Sequence, residues 1–397
     1  MRLIPGTLAA TLTLGTMTAM VPLATDIYLP AMPAMTRDLA TTDARTQLTL
    51  SIFMVGFAFG QIFYGPISDR VGRRPAILFG FALFALGSIV CTLATSIETL
   101  LAARVAQALG GAGPVVLARA IVRDLYEGPQ AGRELSRMAA IMGLTPAVAP
   151  VIGAALLTVF GWRSNFAVVA LVAVGFGAFV FFVLPETIRA RRAEPVSLRA
   201  IFAAFADLLR HPPFRIYALL NALAFSGLFA FISVGSFILQ GVYGVTELGF
   251  ALAFGACCIA FVAGSFLSSR IVQRRGLAGS LIVGASLLAT GGLTQLAGVL
   301  GAPREPLALI GPMMIYMVGI GFTLPASMAS ALTPFPDRAG AASSFIGFGQ
   351  TLSGAAVGAL LGHALSGSAA PLPIVTSLVG CAAFTLVMAT RRLRARG

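Results

Sequence analysis

Three charged residues lie inside otherwise apolar, membrane-length stretches: Asp26, Arg104 and Arg119. A charge held in hydrocarbon costs roughly 2.5–3.5 kcal/mol on insertion scales, so it faces a cavity or a partner and marks a route for an ion or a polar molecule. A carboxylate and a guanidinium also have a chemistry together. Burial raises a carboxylate pKa and a nearby Arg lowers it. Asp26 and Arg104 could therefore form a group that takes and releases a proton in the physiological range. Asp26 lies a few residues before the end of the first stretch, and Arg104 a few residues after the start of the fourth. At about 1.5 Å per residue the two share a depth, and opposite charges at one depth can pair. Arg119 stands one turn before Arg123. It could snorkel to the membrane surface or serve a cavity or gate on that side.

Two further patterns carry backbone chemistry. Gly65-Pro-Ile-Ser-Asp-Arg-Val-Gly-Arg-Arg-Pro75 is a compact basic turn between two apolar stretches. Loop charge explains its arginines, but not Asp69, the two glycines or Pro75. The fifth stretch carries Gly143, Pro146, Pro150 and Gly153. Two prolines four apart remove hydrogen bonds and bend a helix, and small residues let membrane helices approach closely. Pro114 and Pro325 occupy roughly equivalent places in the two halves of the chain. Interrupted helices in matching positions point to a binding site.

The elements that position these residues follow from composition. The chain is 58% hydrophobic and 10% charged, whereas a soluble chain carries about 25% charged residues. It reads as an all-α integral membrane protein. Net charge is +13, carried by arginine with no lysine. The arginines sit in short loops between apolar spans, which argues for membrane topology and against nucleic acid as a partner. Cys91, Cys257, Cys258 and Cys381 all lie within apolar spans and suggest neither disulfides nor a zinc site. The first apolar run is too long for the 7–15-residue core of a signal peptide.

A crossing helix needs about 20 apolar residues. Twelve stretches qualify: 7–30, 47–66, 76–96, 99–122, 138–160, 165–184, 214–240, 246–268, 277–299, 306–332, 341–363 and 371–390. With both termini cytoplasmic, every loop arginine falls inside except Arg37, Arg45, Arg163 and Arg304, as the positive-inside rule requires. The polar stretch from Glu186 to about Arg215 divides six spans from six. The reading is an N-terminal bundle over 1–186, a cytoplasmic linker over 187–213 and a C-terminal bundle over 214–397. Arg70 and Arg74 recur as Arg270 and Arg274, with Gly65 matched one step off by Gly264. That is the trace of an internal duplication, and paired halves of this kind place a transporter's site at mid-membrane.

The motifs resemble a known family along the whole chain. Gly65 to Arg74, with Asp69, Arg70, Gly72 and Arg73, is similar to the loop 2–3 signature of the major facilitator superfamily. Arg104-Val-Ala-Gln107-Ala-Leu-Gly110-Gly111-Ala-Gly113 resembles the helix-4 motif of drug/proton antiporters. Gly143-Leu-Thr-Pro146-Ala-Val-Ala-Pro150-Val-Ile-Gly153 resembles their helix-5 motif, with Ala149 where the family usually has Gly. Thr25-Asp26-Ile-Tyr28-Leu-Pro30 and Val122-Arg123-Asp124-Leu-Tyr126 resemble the Bcr/CflA branch, known for bicyclomycin and phenicol resistance.

The resemblance implies a proton-coupled exporter of small antibiotics in the bacterial inner membrane, working by alternating access as a monomer. The alternative is an exporter of an amino acid or another small metabolite. Burial and charge make Asp26 the expected protonation site, with Arg104 tuning it. The resemblance also implies that Asp69 faces the N-terminus of the eleventh span near residues 339–343, whose helix end carries about half a positive charge, and that Arg73 pairs with Asp124. Tyr28, Gln61, Tyr64, Gln107, Arg119, Asn221 and Gln350 are the expected cavity-lining residues. The partners expected are a small-molecule drug or metabolite, protons and the lipid bilayer. No cofactor is expected and no enzyme: the sequence has no Walker-type element, and its two histidines, His211 and His363, stand apart from any catalytic or metal constellation.

Overall fold

The computed structural model describes residues 6–126, 128–188, 198–302, 304–335, 338–364 and 368–390. Expectations placed on Arg2, Arg189, Arg191, Arg192 and the arginines after residue 390 lie outside these. The described chain is helical. In order come α1 (Leu8–Asp26), α2 (Met32–Asp38), α3 (Asp43–Val71), α4 (Arg73–Leu93), α5 (Ile97–Leu125), α6 (Gly128–Phe160) and α7 (Arg163–Val183). Then follow α8 (Leu198–Leu208), α9 (Pro212–Ser236), α10 (Glu247–Gly301), α11 (Pro306–Leu332), α12 (Ala339–Ala364) and α13 (Pro371–Ala389).

Eleven helical segments are long and apolar enough to cross a membrane. One of them, α10, is 55 residues long and folds back at Gly276, whose φ of 67° and ψ of 179° leave the helical region. Only glycine adopts such a backbone without strain. The two arms of α10 make twelve crossing segments among the described residues. The first crossing runs further than its apolar stretch: α1 ends at Asp26, a 3-10 turn spans Leu29–Ala31 at Pro30, and α2 continues to Asp38.

The chain divides into two compact units. One comprises Met1–Thr41 and Ile52–Val196; the other comprises Thr42–Ser51 and Ser197–Gly397. In the second unit the start of α3 packs with α12. A Cβ on Gly358 would stand 2.8 Å from Gln47 Nε2, and one on Gly362 would stand 2.6 Å from its Oε1.

Glycine contacts reveal the duplication and correct its register. A Cβ on Gly110 would strike the Phe84 nitrogen and the Gly80 carbonyl; on Gly319 it would strike Leu288 and Gly284 in the same way. Gly87 lies against the Gln107 backbone as Gly291 lies against Tyr316. Gly60 abuts the Leu109 carbonyl as Gly264 abuts that of Val318. Gly72, at φ 112°, matches Gly276. Arg70 therefore corresponds to Arg274 and Asp69 to Gln273, not to the positions that sequence spacing suggested. Pro114 corresponds to Thr323, two residues before Pro325. Arg104 and Gln107 correspond to Met313 and Tyr316. The second unit has no guanidinium or amide where the first has its buried polar pair.

The linker holds a helix that the sequence reading missed. In the second unit α8 places Leu208 in a core cluster with Phe214, Ala331, Ala342 and Ile346, and Asp207 pairs with Arg338. Its apolar residues recur on one face, the usual mark of a helix lying against a core, but the flanking charges obscure it.

Candidate functional site

The first unit is built around Arg104, which is completely buried. Its Nη1 donates to the Ala24 carbonyl at 3.1 Å and to Gln107 Oε1 at 2.5 Å, and its Nη2 donates to Tyr28 Oη at 3.3 Å. The guanidinium lies 4.1 Å from the Phe53 ring centroid, 4.8 Å from that of Tyr28 and 5.8 Å from that of Phe166. Aromatic faces attract a desolvated cation by up to about 2 kcal/mol each. Gln107 continues the network: its Nε2 donates to Ser88 Oγ at 2.8 Å, and Ser88 donates to the Phe84 carbonyl at 2.7 Å. Helices α1, α4 and α5 are thereby joined through one buried chain. Gly87 permits it, since a Cβ there would stand 2.5 Å from the Gln107 nitrogen.

Asp26 is also buried, and the depth match with Arg104 holds. Asp26 and Arg104 make separate contacts. Arg104 bonds to the α1 backbone two residues earlier, at Ala24, while the Asp26 carboxylate accepts from Thr25 Oγ1 at 2.9 Å. Each residue advances about 100° round a helix, so Asp26 stands about 200° round α1 from Ala24. Just beyond it, α6 seats Gly153 against the Ile27 carbonyl. Of the other helix-5 residues, Pro146 and Pro150 lie inside α6, and Gly143 has open space where a Cβ would be.

At the arginine-rich end, Arg73 collects the basic turn. Its Nη1 donates to Asp69 Oδ1 at 2.6 Å and to Ser68 Oγ at 2.5 Å, and its Nε donates to Asp124 Oδ2 at 3.0 Å. Thr187 Oγ1 donates to the same Asp124 oxygen at 3.1 Å. Glu186, which sequence reasoning passed over, accepts from the Arg73 nitrogen at 2.9 Å and the Arg74 nitrogen at 3.3 Å. It caps the positive end of α4. Arg74 donates to the Phe181 carbonyl and stacks on the Phe181 ring. Gly72 supplies the turn; Gly65 has open space around it, and Arg70 is exposed.

The expected cavity-lining set separates by exposure. Tyr28, Tyr64, Gln107 and Asn221 are buried in the packing of their own units. Tyr64 fills the space left by Gly113, and Asn221 Nδ2 donates to Ser327 Oγ and the Leu324 carbonyl. These four reinforce helix packing and present no open surface. Gln61 and Gln350 are half-buried, and Arg119 is exposed. His363 is exposed, with Nδ1 2.8 Å from the Ala359 carbonyl. None of the four cysteines is in a disulfide.

The match to a family model decides the classification: residues 14–359 fit the Major Facilitator Superfamily. The chain belongs to this superfamily. It is 33% identical to the Bicyclomycin resistance protein homolog of Haemophilus influenzae over 392 residues, covering 97% of each chain. It is 33% identical to the Chloramphenicol resistance protein of Pseudomonas aeruginosa over 84% of this chain and 79% of that one. Multidrug resistance protein D of Escherichia coli is 28% identical over 85% and 84%. Among solved structures, a POT family transporter in complex with 5-aminolevulinic acid superposes with a TM-score of 0.80 at 14% identity, covering 100% of this chain and 98% of that one. The likeness is one of fold. As a member of this superfamily the protein is a multi-pass inner-membrane transporter and not an enzyme.

Proposed function

We propose that this facilitator exports small drugs in exchange for protons, with Asp26 as the proton-carrying group. The observation that carries the reading is the placement of Asp26. Its enclosed carboxylate belongs to the same turn of α1 that offers the Ala24 carbonyl to Arg104 and the Ile27 carbonyl to Gly153. In a low-dielectric setting, gaining or losing a charge there is a large energetic event. That change falls on a turn already bonded to α5 and packed on α6, so protonation can bias how α1 seats on its neighbours. Arg104 holds the turn through its backbone and sets the local field. The names of the three resistance relatives support a drug substrate.

In this reading, bundles 1–186 and 214–397 alternate about the linker 187–213 in a monomer with both termini cytoplasmic. Asp69, Arg70, Gly72, Arg73, Arg74 and Asp124 latch one state. The test is drug-evoked proton movement in inverted vesicles, with phenicols, bicyclomycin, dyes and amino acids as the panel. A proton flux evoked by one drug class and abolished by Asp26→Asn is expected. A response to amino acids alone would make the protein a metabolite exporter, and full proton-coupled transport by the variant would remove Asp26 from the mechanism.

A further inference from the structure

Arg119 and Arg123 stand one turn apart on α5, so their side chains share a face. Both are exposed, and neither has a hydrogen bond or an ion pair among the described residues. From Ala103 to Val122, Arg119 is the only exposed residue of α5. Its helical neighbours do not form a lipid-facing stripe. Val115 is 4% exposed, Val116 is half-buried and Val122 is fully buried. Helix α7 shows what lipid exposure looks like, with Leu171, Val174, Phe181 and Phe182 each at least half exposed. Arg119 is therefore an isolated accessible point on an otherwise packed length of α5.

Two like charges one turn apart repel, and the nearby acids among the described residues are occupied. Asp69 and Asp124 serve Arg73, Glu186 caps α4, and Glu134 pairs with Arg137. The negative end of the α5 dipole favours cations there but offers no acceptor to side chains directed away from the axis. Two guanidiniums without acceptors among the described residues, spaced by one turn, suit the oxygens of a carboxylate, phosphonate or phosphate, for which arginine's planar fork is fitted.

We propose that Arg119 and Arg123 form an oxyanion-binding pair that recognises the acidic group of an anionic substrate. This rests on the exporter reading above and narrows its substrate class. A phospholipid headgroup could supply the same chemistry.

The test uses a matched pair of compounds, chloramphenicol and its succinate ester, which differ by one carboxylate. Transport is measured in vesicles of phosphatidylcholine alone and with added phosphatidylglycerol. In Arg119→Gln/Arg123→Gln the KM of the ester should rise about tenfold relative to that of the parent drug, with lysine at both positions recovering part of the difference. A ratio that stays within twofold of wild type overturns the proposal. If phosphatidylglycerol raises the ester KM in wild type and not in the double glutamine variant, lipid phosphate competes for the pair, which also supports it. Phenylphosphonate should raise the melting temperature of purified wild type and not of the double variant. If neither compound is exported by wild type, the exporter reading fails, while this melting shift still decides the anion site by itself.

Discussion

Gly153 of α6 lies so close to α1 that a Cβ built on it would stand 1.6 Å from the Ile27 carbonyl oxygen. No rotamer adjustment relieves a clash between a Cβ and a backbone, so any side chain here must push the two helices apart. Overpacking typically costs 1–3 kcal/mol. Gly153→Leu should lower the melting temperature of the detergent-purified protein and abolish drug resistance conferred on a susceptible host. Gly143→Ala meets open space and should leave both intact. Equal behaviour of the two variants would mean that the α1–α6 approach carries nothing.

The buried chain Arg104–Gln107–Ser88 predicts an order of effects. Gln107→Leu removes the acceptor of Arg104 and the donor to Ser88 together. Leaving a buried polar group unmatched costs about 1–3 kcal/mol, more for a charged one. Ser88→Ala loses only the far end of the chain and should cost about 0.5–1.5 kcal/mol. Thermal unfolding should rank Gln107→Leu below Ser88→Ala, with wild type highest. Coupled proton flux should fall most in Gln107→Leu, since Arg104 then loses one of the contacts that orient it. A Ser88→Ala protein less stable than Gln107→Leu would contradict this geometry.

How much of this was legible beforehand depended on the range of the interaction. Crossing segments are written in composition, and the twelve stretches correspond to the twelve crossings. Helix ends were less legible: α2 continues past Pro30, and α6 begins near Gly128 rather than residue 138. Polar residues at those ends look like loop in a hydropathy reading, although their backbones stay helical. The Arg73–Asp124 contact came from the family pattern, whereas the Glu186 cap rests on a fold-back that spacing cannot reveal. The repeat register failed because arginines in a basic turn recur by charge preference. Gly72 and Gly276 recur because the turn demands a positive φ. Asp26 and Arg104 shared a depth, as residue counting indicated. Counting from a span end is too coarse to tell which face of α1 the arginine meets.

The Arg73 cluster predicts separate roles for its two acids. Asp124 accepts from Arg73 and Thr187, joining α4, α5 and the residues after α7. Asp69 is i,i+4 to Arg73 and remains 30% exposed. Asp124 is 19% exposed and also accepts from Thr187, so it is the partner of greater structural weight. Asp124→Ala should lower the melting temperature by several degrees. Asp69→Asn should barely move it, yet slow drug turnover without removing drug binding, because its proposed duty is to latch a transport state. Unchanged turnover in Asp69→Asn would leave the acid with the local ion pair alone.

Glu186 offers the last test, since its carboxylate holds two otherwise unsatisfied backbone donors, the Arg73 and Arg74 nitrogens. A helix start without its cap costs about 0.5–2 kcal/mol, and a negative charge there adds about 0.3–1 kcal/mol through the helix dipole. Glu186→Gln keeps an acceptor oxygen and loses the charge; Glu186→Ala loses both. Stability should therefore fall in two steps, with Gln between wild type and Ala. Hydrogen exchange should locate the loss at the first turn of α4, in the amides of Arg73 and Arg74, and leave the middle of α5 protected. If Gln and Ala are equally destabilised, the charge carries the cap. If Gln matches wild type, the hydrogen bonds alone do. Protection at Arg73 and Arg74 that survives in the Ala variant would mean that Glu186 does not cap α4.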